Sequence, residues 1–78
     1  MPYITQEDRL CAKIDNAGKL NYSITLLCDE YINKNGFRYQ TMNDIIGALE
    51  GCKLEFYRRI ASPYEDIKLQ ENGDVYNV

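Results

Sequence analysis

The chain has 78 residues, a formal net charge of −3, three cysteines and no histidine. That length makes one domain, residues 1–78, and a chain this short buries only about 60% of the surface its unfolded form exposes. The core is therefore marginal, and self-association is the expected compensation. An odd cysteine count with no CxxC pair and no imidazole argues against a disulfide framework and against a zinc site, so no metal and no cofactor is expected.

The first helix signal is Thr5-Gln6-Glu7-Asp8, a hydroxyl at the N-cap with a carboxylate three residues later. Leu10, Cys11 and Ile14 follow as a thin apolar stripe, and Gly18 is placed to end the helix in the left-handed region. Asn21 can cap a second helix. In it Ile24, Leu27, Cys28, Tyr31 and Ile32 keep the i, i+3, i+4, i+7 spacing of one face. Asn35-Gly36 ends that helix, and Phe37-Arg38-Tyr39 reads as a short extended connector.

Thr41-Met42-Asn43-Asp44 repeats the capping pattern and opens a third helix, expected to run to Ala61. Ile45, Leu49, Cys52, Phe56 and Ile60 form a stripe on it that should face a core. Ser62-Pro63-Tyr64-Glu65 then restarts the chain, because proline suits the first helical position and disfavours helical geometry before it. A bend near Ser62-Pro63 follows, with a last helix ending at Asn72-Gly73. The pattern predicts an all-α fold: a small three- to four-helix bundle with a long, bent third helix, oligomeric, and with its cysteines reduced and buried among apolar neighbours.

Two features on the third helix stand out. Gly47, Ala48 and Gly51 put small residues on one surface. Two glycines inside a helix cost roughly 1 kcal/mol each relative to alanine, which close approach of another backbone can offset. That backbone belongs either to this chain or to a second copy across an oligomer interface; a ligand on the glycine surface is the third option. The other feature is Tyr57-Arg58-Arg59 with Tyr64. Glu55 pairs with Arg59 at i, i+4 and Glu50 with Lys53 at i, i+3, which leaves Arg58 without a local carboxylate. A guanidinium beside a flat ring suits a phosphate-bearing, nucleotide-like ligand, although the bland account of this cluster is a solvated face laced with ion pairs. Glu65 and Asp66 are explained by their place in the first turn of a helix.

Other classes find little support. No histidine, no GxSxG and no phosphate-binding glycine loop is present, so no catalytic residue is assigned and the protein is not expected to be an enzyme. Negative charge argues against general nucleic-acid binding. No apolar run reaches the ~20 residues of a membrane span, and MPYITQEDR lacks the features of a signal peptide, so the expected location is the cytoplasm.

The opening MPYI..EDR and the later run IIGALE..KLEFYRR...PYED.K..ENGDVY resemble a family of small uncharacterised proteins common in bacteriophage and prophage genomes. The likeness covers nearly the whole chain. It implies a host-cell setting and a role in host interaction or anti-defence. Two hypotheses of different kinds follow. In one, the protein is an oligomer that sequesters a small anionic ligand at Arg58, Arg59, Tyr57 and Tyr64, with Gly47, Ala48 and Gly51 at the oligomer interface. In the other it is an acidic inhibitor that docks on a host or defence protein. Virion accessory or assembly roles, or DNA-binding regulation, are further alternatives.

Overall fold

A computed structural model describes residues 2–77, and every described element is helical. The order is α1 (Gln6–Leu10), α2 (Ala17–Asn35), α3 (Tyr39–Phe56), a π turn (Tyr57–Ala61) and α4 (Ser62–Asn72). The helical backbone is continuous from Tyr39 to Asn72, so three helices are present and the last is long and bent. The chain divides into two compact units, Met1–Ile45 and Ile46–Val78.

In the first unit the caps fix the ends. Thr5 Oγ1 accepts from the Asp8 N–H at 3.1 Å, as the capping pattern predicts. α1 nevertheless stops at Leu10, and Gly18 lies inside α2 instead of ending α1. Asn16 caps α2 in place of Asn21: its Oδ1 accepts from the Lys19 N–H at 2.8 Å. An N-cap at Asn16 satisfies a helix-start donor one turn and a half earlier than the apolar stripe required. At the other end Gly36 has φ +92° and its N–H donates to Ile32 O at 2.7 Å, the left-handed terminus that Asn35-Gly36 predicts.

α1 is held to α2 by polar side chains. Arg9 Nε donates to Ile4 O at 3.0 Å, and its guanidinium lies over the Tyr22 ring, 5.6 Å from the centroid. Lys19 Nζ reaches Asp15 at 3.0 Å and Cys11 Sγ at 3.6 Å. The hydrogen bond it donates to Asp15 holds the Lys19 ammonium above its ordinary pKa. Tyr31 donates to Asp44 at 3.0 Å, and Gln40 donates to the other oxygen of the same carboxylate at 2.7 Å. Thr41 was expected at the N-cap of the third helix, but α3 begins at Tyr39 and Thr41 sits in its first turn. It is the one fully buried residue among those described, at 1% exposure, and its hydroxyl has no partner.

The expected hydrophobic core is not formed within the described residues: no apolar side chain is buried. Ile45 is half-buried, but Leu49, Cys52, Phe56 and Ile60, read as core-facing, are exposed. Cys11 and Cys52 are exposed and only Cys28 is half-buried, so two of the three thiols are not the small core hydrophobes that the spacing implied. Spacing specifies that these residues share a face; it does not specify that the same chain covers it.

Candidate functional site

The second unit is built on one helical rod, and its irregular point is the π turn. Proline has no N–H to donate, and its ring collides with the carbonyl four residues earlier. An undisturbed α-helix through Pro63 would bring that collision onto Arg59. The backbone instead widens over Tyr57–Ala61, and the Ser62 N–H reaches back five residues to Tyr57 O. Ser62 keeps helical angles, φ −64° and ψ −47°. The expected restart at Ser62 is therefore a bend absorbed by one wide turn.

That turn carries three of the four candidate binding residues. Glu55 takes a two-pronged contact from Arg58 Nη2, at 3.0 and 3.1 Å, and a looser one from Arg59 Nη1 at 3.9 Å. The expected roles are reversed: Arg58 has the close partner and Arg59 the distant one. Both residues lie at spacings, i+3 and i+4, from which a helix lets a side chain reach Glu55. One carboxylate thus serves two guanidinium groups, and the cluster keeps one positive charge in excess. Both arginines are about two-thirds exposed. Lys53 pairs with Glu50 at 3.5 Å, as predicted.

Tyr57 stands apart from its neighbours. It lines a shallow groove with Ser62, Glu65, Asp66, Leu69 and Tyr76. Residues adjacent in a helix point in different directions, and neither arginine lines this groove. Tyr64 is not part of it either; its ring lies under Lys68 Nζ, 5.7 Å from the centroid. The four residues grouped by sequence therefore divide into an arginine face and a tyrosine groove. Gly73, with φ +89°, ends α4 and lets the tail turn back to close the groove, where Asp74 Oδ1 accepts from the Tyr76 N–H at 2.9 Å. Sequence reading missed the tail's part in this groove; the signal present was Asn72-Gly73-Asp74, a turn that reverses direction.

A Cβ placed on Gly47 or Gly51 would meet nothing within 4 Å. Helical phase places both on the side of α3 away from Leu49, Cys52 and Phe56, with Ala48 between the two sides. No group of three or more metal-ligating side chains occurs among the described residues, and no described helix is long and apolar enough to cross a membrane. A family model, a domain of unknown function (DUF6899), matches residues 1–75. No curated protein and no solved structure matches the chain.

Proposed function

Because the chain belongs to the DUF6899 family, a domain of unknown function, we propose its role from its own geometry: a small, non-catalytic binding protein of the phage type that self-associates and holds a small anionic, nucleotide-like ligand at the π turn. The observation that carries this is the sharing of Glu55 by Arg58 and Arg59. The excess positive charge can be met by a phosphate, which guanidinium groups hold through parallel hydrogen bonds. π turns within α-helices recur at functional sites, and here the turn is the segment that bears the arginines. The setting proposed is the cytoplasm of an infected cell, where such a protein would sequester a signal of host defence. Native mass spectrometry of protein purified from cells with active antiphage systems tests it. A retained anion, lost on Arg59→Ala with the helical circular dichroism unchanged, supports the reading; wild type and Arg59→Ala retaining the same species would end it.

A specific observation favours the acidic-inhibitor reading as the second. The groove has Tyr57, Leu69 and Tyr76 among its lining, with three carboxylates, Glu65, Asp66 and Asp74, against one cation, Lys68, an aromatic and net acidic surface of the kind that docks on a basic protein. Charge reversal at Glu65 and Asp66 separates the two: it would abolish docking on a protein and leave anion retention intact.

A further inference from the structure

The charges of the second unit sort into pairs and a remainder. Lys53 pairs with Glu50, Arg58 and Arg59 share Glu55, and Lys68 reaches Glu71 at 3.1 Å. That uses every lysine and arginine of Ile46–Val78. Glu65, Asp66 and Asp74 are the carboxylate side chains left over, and all three line the groove between α4 and the tail. Asp74 accepts a backbone N–H, from Tyr76. Neither Glu65 nor Asp66 is in an ion pair among the described residues.

A helix dipole does not account for them. The sequence places Glu65 and Asp66 in the first turn of a helix, where N–H groups without partners favour negative charge. In the structure the helical backbone runs unbroken from Tyr39 to Asn72, and the Ser62 N–H is already taken by Tyr57 O. α4 therefore has no free N-terminus for these carboxylates to complement. Nor do the three converge on a metal site among the described residues. Their charge is spread along the groove, which suits an extended occupant better than a point ion.

The groove is aromatic as well as acidic. Tyr57 and Tyr76, both in its lining, are 51% and 78% exposed. Its volume is about 450 Å³, enough for a side chain with its neighbours, but it is shallow. A free small molecule is held by burying most of its surface, which an open groove cannot do. A segment of another protein needs only to lay a side chain into it.

We propose that this groove is the docking site for an exposed, arginine-bearing segment of a partner protein. Charge complementarity selects a cation, since three uncompensated carboxylates meet there. The rings select guanidinium over ammonium. A planar guanidinium can stack on a tyrosine face and fork onto a carboxylate, whereas a lysine ammonium is a strongly hydrated point charge. Tyrosine and arginine are also the residues on which interface energy concentrates. The inference rests on the acidic-inhibitor reading above and names the group that the groove grips. It is independent of the arginine face, because neither Arg58 nor Arg59 lines the groove.

Fluorescence anisotropy on the full chain at low salt tests it, with two labelled octapeptides of glycine and serine that differ only in carrying two arginines or two lysines. The arginine peptide should bind at least about threefold more tightly than the lysine peptide. Glu65→Gln with Asp66→Asn should weaken the arginine peptide about tenfold, the effect of two exposed ion pairs. Tyr57→Leu should bring the two peptides to equal affinity by removing a ring. Glu7→Gln with Glu30→Gln takes the same charge from the first unit and should change affinity less than about twofold. All the exchanged side chains are exposed, and helical circular dichroism checks the fold. Should the paired exchange perturb α4, Asp74→Asn, which keeps an oxygen for the Tyr76 N–H, makes the same test with a loss of about threefold. Equal affinity of wild type for the two peptides, lost in the groove variant, would overturn the guanidinium seat and leave the acidic reading standing. An equal loss in the groove variant and in the first-unit control would mean that net charge alone attracts the peptides, and would overturn both. Failure of both peptides to bind would do the same.

Discussion

The π turn can be tested as a register device by changing its length. Inserting one alanine after Arg58 adds 100° of rotation between α3 and α4. Ile60, Tyr64 and Ile67 then leave the side occupied by Leu49, Cys52 and Phe56. These three are 58%, 59% and 55% exposed, so each has about 100 Å² to lose, worth about 2.5 kcal/mol by area. Area overstates interface energies, and about 1 kcal/mol per side chain is a fair discount. Three side chains in each of two chains then give about 6 kcal/mol, so a loss of at least a hundredfold in association is expected after further allowance for partial re-pairing. Sedimentation equilibrium on the variant and wild type makes the comparison. If the insertion is harmless, the wide turn does not set register.

Further outcomes follow from single residues. Asn16→Ala removes the oxygen that accepts from the Lys19 N–H at 2.8 Å, and should cost about 1 kcal/mol in thermal or denaturant unfolding. Gly36→Ala forces a side chain to φ +92°, and should cost on the order of 1 kcal/mol, while Gly47→Ala, where the space is open and the helix interior favours alanine, should stabilise. Both Tyr31 and Lys19 have their pKa values raised by a carboxylate partner, Asp44 and Asp15 respectively. Each partner favours the protonated form, so their contribution is fully present below pH 10 and lost as pH rises through the folded-state values. Stability should fall at strongly alkaline pH, and Tyr31→Phe should flatten part of that fall in a urea titration.

Much of the architecture was legible because the determinants are local. Thr5 caps α1, Gly36 and Gly73 end α2 and α4 with positive φ, and Pro63 forces a bend. The misreadings share a cause. Asn21 and Thr41 are good cap residues, yet Asn16 and the turn before Tyr39 start the helices earlier, because many polar residues can satisfy helix-end donors and sequence does not rank them. The pairing of Arg58 with Glu55 has the same i, i+3 spacing as Lys53 with Glu50, and it is passed over when Glu55 is assigned to Arg59 alone. Tyr64 and Ile67 are separated from the stripe that ends at Ile60 because Pro63 reads as a new helix start, although spacings of four and three keep helical phase.

The wide turn links what sequence kept apart. Read as a straight α-helix, Leu49 to Ile60 is an apolar face, Arg58 and Arg59 are surface charges, and Pro63 is a stop. The wide turn, placed where the proline ring and its missing N–H disturb the helix, lets the backbone run on into α4, and at the same point Arg58 and Arg59 share Glu55. Pro63→Ala restores the donor and removes the reason for the turn, so it should favour a regular helix in which α4 is rotated by about 100° relative to α3. The expected result is a chain with equal or greater helicity and weaker self-association, read by circular dichroism and sedimentation on the same samples. Gains in both together would show that the turn is a defect tolerated by the fold and not the feature around which two copies pair.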